Sequence, residues 1–221
     1  MEIKPIRTGD GSFTIFSEKY DEHFHNPREG ALSESLYKHV IPAITHLKEA
    51  QEINILDICF GIGFNTLATL KYIKEIGFKG KVNIYSPELD GGLIKSLKDL
   101  PYTQDLLEFL PAIYEISKTN RYNKENLSIE VFIGDAVEYV KTFQDKFDII
   151  YQDAFSSQKN PELWSEEFFN SLFRAMRKGG VLTTYSQAKG VRKKLESAGF
   201  SLGEQQIDEK LNIRSGTLGF K

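Results

Sequence analysis

From Ile53 onward the chain alternates short strand-like runs with helical patterns, and that alternation leaves few folds open. The strand-like runs are 53–58 (INILDI), 81–87 (KVNIYSP), 127–133 (LSIEVFI), 147–153 (FDIIYQD), 180–186 (GVLTTYS) and 200–207 (FSLGEQQI). Helical periodicity fills 64–76, 91–117 with a break at Pro101, 135–142, 162–177 and 188–198. Several strands are nearly continuous Ile, Val and Tyr, as expected where both faces of a sheet are covered. Strand, helix, strand repeated in this way builds a parallel sheet. A last run, 211–220 (LNIRSGTLGF), pairs with 200–207 as an antiparallel edge and brings the expected count to seven strands.

Residues 1–50 have a different texture. Asp10-Gly11 is turn chemistry and leads into SFTIFS, which reads as a short hairpin. A helix is expected from about Ser33, with Leu36, Val40, Ala43, Ile44 and Leu47 on its apolar face and Pro42 as a potential break. The expected organisation is an N-terminal extension, 1–50, covering a sheet domain, 51–221. One cysteine, Cys59, excludes an internal disulfide and fits a reducing compartment. No apolar run approaches the roughly 18 to 20 residues that span a bilayer. The N-terminus shows no apolar secretion signal, so the cytoplasm is the expected location.

Net charge is −3, from 28 basic and 31 acidic side chains, which argues against gripping nucleic acid by overall field. A local basic face stays open: 188–198 places Lys189, Arg192 and Lys193 opposite Val191, Leu195 and Ala198, with Arg174, Arg177 and Lys178 close by. In 162–177 the stripe Trp164, Phe168, Phe169, Leu172, Phe173 and Met176 reads as core packing, and Gly179-Gly180 as the helix stop. His23 and His25 make an H-x-H pair, but no further ligand pattern completes it, so no metal is expected.

Parallel α/β sheets bind ligands at the carboxyl ends of their strands. After the first strand comes FGIGFNT (60–66), where Gly61 and Gly63 admit a close backbone approach; a dinucleotide fingerprint would need glycine at Thr66. Glu88 follows the second strand, where a carboxylate can accept from both ribose hydroxyls. Asp135 follows the third, either as a helix N-cap or as an acceptor for an adenine amino group beside the Ala136 N–H. Asp153 follows the fourth and opens a polar loop. Each has a plain structural role open to it; together they indicate an S-adenosylmethionine site. A parallel sheet with a terminal hairpin is the organisation of the class I S-adenosylmethionine-dependent methyltransferase (Rossmann-like) fold.

The stretch from Asp153 to Leu202 resembles the methyltransferase module of the MnmC family, which completes 5-methylaminomethyl-uridine at the wobble position of tRNA. Asp153, Phe155, Lys159, Asn160, Pro161 and Trp164 match its D-x-F-x-x-x-K-N-P-x-x-W core. FGIGFN matches its F-G-x-G-x-N loop, and the segment from Asp10 to Ser35 is similar to the family's opening. Asp57 stands where the family usually has Glu, and Cys59 where it has Gly; the FAD-dependent oxidase module fused in many family members is not expected here.

The resemblance implies a stand-alone enzyme that N-methylates the 5-aminomethyl group of the wobble uridine, giving 5-methylaminomethyl-(2-thio)uridine. A separate enzyme is then expected to supply the aminomethyl intermediate. It implies a cofactor site made by Asp57, Phe60, Gly61, Gly63, Asn65, Glu88, Asp135, Ala136 and Asp153. Asp153 is the expected catalytic group, attracting the acceptor ammonium, orienting it and accepting or relaying its proton. Phe155, Lys159, Asn160, Trp164, Lys189 and Arg192 are expected to meet the tRNA anticodon loop. The alternative is an aminopropyltransferase of the spermidine synthase type, which shares the sheet and the strand-end carboxylates; the paired acids that grip a polyamine are not evident in the sequence.

Overall fold

The computed structural model describes residues 4–207, 209–211 and 213–221. Strands β1 (Pro5–Arg7), β2 (Phe13–Ser17) and β3 (Glu22–His23) form a small antiparallel sheet in that order. Asp10 ties this sheet to the first helical run. Its Oδ1 accepts from the Ser12 N–H at 3.0 Å and the Thr8 hydroxyl at 2.8 Å, and its Oδ2 accepts from the Ser33 N–H at 2.8 Å. That run is continuous: α1 (Ala31–Glu34), a π-helical segment (Ser35–Val40), then α2 (Ile41–Ile44). Pro42 does not break it. It sits in the first turn of α2, where α-type hydrogen bonding has already been interrupted and the missing N–H costs little.

The main domain runs β4 (Glu52–Ile58), α3 (Phe64–Glu75), β5 (Lys81–Glu88), α4 (Gly91–Ser96), α5 (Leu110–Thr119), β6 (Arg121–Lys124) and β7 (Leu127–Ile133). It continues α6 (Ala136–Lys141), β8 (Phe147–Gln152), α7 (Glu166–Ala175), β9 (Met176–Thr184), α8 (Lys189–Ser197), β10 (Ser201–Glu204) and β11 (Thr217–Phe220). The strand order is β10-β11-β9-β8-β4-β5-β7-β6; the five central strands are parallel, and β6, β10 and β11 pair antiparallel. The class I Rossmann-like arrangement is present.

The sheet has eight strands rather than seven. Asn120, in the left-handed conformation at φ 60°, ends α5 and turns Arg121–Lys124 back along β7. Those residues are polar and mostly exposed, so no apolar alternation announces them. The helical pattern at 91–117 is two helices joined by 3₁₀ turns. At 162–177, Pro161–Trp164 is a 3₁₀ turn, and the Ser165 hydroxyl caps α7 by accepting from the Phe168 N–H at 3.1 Å. Gly179 and Gly180 do not stop this helix. They lie inside β9, where Phe147 pairs with Met176 but Ile149 with Val181, and the intervening residues bulge out. Gly179 has φ +82°, and a Cβ on Gly180 would lie 2.9 Å from the Arg177 carbonyl oxygen. The run expected at 211–220 is a strand only from Thr217; Asn212 lies outside the described residues.

All of β4 from Ile53 to Ile58 is buried, so alternate residues feed two cores. Ile53 and Ile55 pack with α3, α5 and the N-terminal segment; Leu56 and Ile58 pack with α6, α7 and α8. The N-terminal segment shares the first core directly: Phe13 sits edge-on to Phe64 and to Tyr102, each at 5.3 Å. This fixes the small sheet over the carboxyl ends of the central strands. Among the described residues no helix is long and apolar enough to cross a membrane.

Candidate active site

A cleft of about 1050 Å³ opens at the carboxyl ends of the central strands, beneath the N-terminal sheet. Its size is that of sites for drug-sized ligands and cofactors. A smaller, more polar cavity of about 410 Å³ lies beside it, and Phe24, His25, Asp153 and Phe155 line both.

At the end of β5, Glu88 turns its carboxylate onto two backbone donors. Oε2 accepts from the Gly61 N–H and Oε1 from the Asp90 N–H, each at 2.9 Å. Burial pushes this carboxyl up, against the pull of those two bonds. Each oxygen keeps a second lone pair, and the residue lines the cleft. Gly61, with φ +55°, brings its backbone to the wall; a Cβ there would sit 3.1 Å from the Phe24 ring. Asp135 performs its N-cap role, with Oδ1 accepting from the Val137 N–H at 2.7 Å; it is exposed and lines the cleft, as does the buried Ala136.

At the end of β8, Asp153 is clamped from two sides. The Asn65 side-chain N–H donates to its Oδ2 at 2.9 Å, and His39 Nε2 lies 3.4 Å from its Oδ1. Burial alone would raise this carboxyl; the facing His39, with His25 and the Asn65 N–H, outweighs it and holds the group well below the usual carboxylate range. The same Asn65 amide nitrogen donates to Asp57 Oδ1 at 3.0 Å, while Asn65 Oδ1 is buried without a hydrogen-bond partner. The loop after Asp153 is pinned by Trp164, whose indole N–H donates to the Phe155 carbonyl at 2.7 Å, and by the Tyr185 hydroxyl on the Ala154 carbonyl at 3.1 Å.

Of the residues expected at the site, Phe60, Gly61, Asn65, Glu88, Asp135 and Ala136 line this one cleft. So do Asp153, Phe155 and Asn160. The others do not. Asp57 is buried behind Asn65, and burial, reinforced by the Asp153 and Glu88 charges, pushes its carboxyl well up. Gly63 starts α3 at φ +79°, where a Cβ would lie 3.1 Å from the Ile113 side chain and 3.2 Å from the Phe60 ring, so its part is to launch the helix. Trp164 is 1% exposed and packs edge-on to Phe169 and Tyr185, out of reach of any tRNA base. Lys159 reaches away from the cleft to Asp21 at 3.0 Å. Lys189 and Arg192 stand on α8 and line neither cavity.

A sequence profile described as S-adenosyl-L-methionine-dependent methyltransferase matches residues 99–217, half of the chain. The crystal structure of MNMC2 from Aquifex aeolicus superposes with a TM-score of 0.84 at 34% identity, covering 99% of this chain and 70% of that one. The chain belongs to the MnmC methyltransferase family. An uncharacterized protein of Methanocaldococcus jannaschii is 30% identical over 220 residues, which are 98% of this chain and 59% of that protein. The tRNA 5-methylaminomethyl-2-thiouridine biosynthesis bifunctional protein MnmC of Actinobacillus pleuropneumoniae is 25% identical over 87% of this chain, which spans 32% of it.

As a member of that family the enzyme uses S-adenosyl-L-methionine, and the cleft fits it. The Glu88 carboxylate offers a free lone pair on each oxygen to a pair of vicinal hydroxyls. The buried, unpartnered Asn65 Oδ1 is an acceptor in the cleft wall for a cationic amino group. Among the described residues no cluster of His, Cys, Asp and Glu could hold a metal ion.

Cys59 occupies the left-handed region at φ 69°, where glycine is the unstrained choice. It is half-buried in the cleft wall and packs against the core on the α6–α8 side, so it does not plug the cleft. Burial, reinforced by the Glu88, Asp57 and Asp153 charges, pushes its thiol well up. Because the thiolate is the reactive form, iodoacetamide at pH 8 should label Cys59 at least ~10-fold more slowly than a free thiol. Saturating S-adenosyl-L-methionine should slow it further, as followed by intact-mass spectrometry; labelling at the free-thiol rate would contradict this placement.

His39, fully buried against Asp153, has no counterpart among the sequence expectations. Its signal is its position among Leu36, Val40 and Ala43 on the apolar face of the first helical run, where a polar ring must find a partner.

Proposed function

We propose that this enzyme methylates the 5-aminomethyl nitrogen of the wobble uridine in tRNA, in the cytoplasm and downstream of an enzyme that supplies the primary amine. The observation that carries the reading is the Asp153 carboxylate: clamped by Asn65, kept ionised, and set in the cleft wall within the same cavity as Glu88.

S-adenosyl-L-methionine supplies a methyl group already activated by its sulfonium. The acceptor is an alkyl amine with a pKa of about 10 by analogy with lysine, so it arrives mostly protonated. Ionised Asp153 attracts that ammonium and points its nitrogen along the cleft. A carboxyl held so low is a poor proton acceptor, so its part is to attract and orient, and the proton passes to water before attack. Positioning of this kind is where much of the rate of such a displacement originates.

The mouth suits a nucleobase. Phe155 stacks on Tyr20 at 4.6 Å, Phe24 meets Phe155 edge-on at 4.9 Å, and Lys19 lies over the Tyr20 ring at 4.8 Å. Aromatic faces with adjacent cations are what a splayed, single-stranded base requires. Lys4 and Lys19 line this cleft, so the basic rim comes from the N-terminal extension rather than from α8. The aminopropyl reading is disfavoured by Lys38. Two acids, Glu29 and Glu34, do face the smaller cavity, but the Lys38 ammonium lies 2.5 and 3.1 Å from them, where a diamine would have to sit.

Labelled S-adenosyl-L-methionine incubated with the protein and tRNA carrying 5-aminomethyl-uridine should place label in that nucleoside. Label in putrescine instead, or in neither acceptor, would overturn the proposal.

A further inference from the structure

We propose that His39 is a positioning residue for methyl transfer: anchored on Thr183, it sets the orientation of the Asp153 carboxylate toward the acceptor amine. The inference rests on the reading of Asp153 given above.

His39 is fully buried, and its two ring nitrogens face two different strands of the sheet. Nδ1 lies 3.0 Å from the hydroxyl of Thr183 on β9, itself fully buried, and Nε2 lies 3.4 Å from Asp153 Oδ1 at the end of β8. Tyr151 of β8 closes the remaining side of the ring, edge-on at 5.8 Å. An imidazole anchored in this way keeps Nε2, buried and without a hydrogen-bond partner of its own, directed at the carboxylate in front of it. Asn65 holds the other oxygen, so the carboxylate plane is set from both ends.

A second, independent observation is the backbone that carries the ring. His39 lies in the six-residue π-helical segment Ser35–Val40. Helices of this type are rare, well under ~1% of residues, and concentrate at functional sites, because the less favourable hydrogen bonding persists only where the displaced side chain is needed. Here the wide turn feeds a side chain from the N-terminal extension into the strand ends of the main domain.

Other charged and titratable groups face Asp153 as well. His25 and Glu34 approach from the extension, Asp57 from β4, Cys59 from the loop after it, and Tyr185 from beyond β9. Of these, the His25 charge also lowers the Asp153 carboxyl, but less than that of His39, while the Asp153 charge in turn raises the carboxyls of Asp57 and Glu34. Removing His39 takes away the largest of the influences that lower Asp153, so burial weighs more heavily against His25 and Asn65 and the carboxyl rises.

The test compares His39→Leu with His39→Gln, whose amide nitrogen can reach where Nε2 lies. The Leu variant should lose roughly 10- to 100-fold in kcat, as when an outer partner of a functional group is deleted. Its KM for S-adenosyl-L-methionine should be unchanged, and kcat should gain an acidic limb inside the pH range where wild-type Asp153 stays ionised. The Gln variant should recover most of the rate. Should His39→Leu fold poorly, Thr183→Val removes only the anchor and should shift kcat in the same direction. A loss of stability with kcat unmoved and no new acidic limb would overturn the proposal.

A double-mutant cycle on unfolding, His39→Leu with Asp153→Asn, works without any substrate. A coupling of about tenfold in the unfolding equilibrium constant supports the pairing, and additivity overturns it. If the wild-type protein methylates no aminomethyl tRNA, the acceptor reading fails; the cycle still decides the pairing.

Discussion

Asp153→Asn should lower kcat/KM for the amine acceptor by roughly 10³-fold while leaving S-adenosyl-L-methionine affinity nearly unchanged. The substitution keeps the side-chain volume and leaves an acceptor for the Asn65 N–H that now reaches Oδ2 at 2.9 Å, while the new NH₂ faces His39, so the charge is lost together with the His39 side of the clamp. What disappears is the attraction for an ammonium and the orientation of its nitrogen. The pH dependence makes the prediction sharper. Because Asp153 is ionised throughout the working range, wild-type kcat/KM should climb with pH toward the amine's own pKa, near 10 by analogy with lysine. The variant should show the same slope at a lower level. Initial rates on aminomethyl tRNA between pH 6 and 9 decide this; a variant retaining more than about a tenth of wild-type activity would remove Asp153 from the proposed role.

Glu88→Ala should weaken S-adenosyl-L-methionine binding by about 10²-fold. Each hydrogen bond to a charged acceptor contributes about 1.5–3 kcal/mol, and a pair of vicinal hydroxyls makes two, less the cost of desolvating the carboxylate. Glu88→Gln is not a mild substitute. Both oxygens already accept from backbone, Oε2 from Gly61 and Oε1 from Asp90, so an amide must turn its NH₂ against one of those N–H groups. Both variants should show the loss by calorimetric titration, and Ala should also loosen the Gly61 loop. Asp135→Ala, by contrast, removes an N-cap worth about 1 kcal/mol and leaves most of the site intact. Equal affinity for wild type and Glu88→Ala would place the cofactor elsewhere.

The parallel sheet was legible because its signal is local. A strand buried on both faces, such as Ile53–Ile58, must be apolar at nearly every position, and an apolar run can be seen without knowing its neighbours. The strand-end carboxylates were legible for the same reason, since a residue that closes a strand is identified by the strand. β6 was not, because Arg121–Lys124 is an exposed edge whose pairing is decided by the backbone turn at Asn120 rather than by hydrophobicity. Nor was the bulge at Gly179 and Gly180, which carry the same letters in a strand as they would in a helix stop.

At the site, the chain's own order was enough to nominate Gly61, Glu88, Asp135 and Asp153. It could not say which nominated residues face the cleft. Asp57 and Asn65 both belong to the glycine-loop region, yet one is sealed behind the other. Trp164 matches a motif and serves as the pin of the Asp153 loop, while Lys159 matches the same motif and pairs with Asp21 instead. His39 shows the limit most clearly. Nothing near it in sequence names Asp153 or Thr183, and it reaches them only because the extension packs across the strand ends. Periodicity and turn chemistry act over a few residues and are written along the chain. The direction of a side chain, and the charge its neighbours impose on it, come from contacts between segments far apart in sequence, and those exist only in the folded molecule.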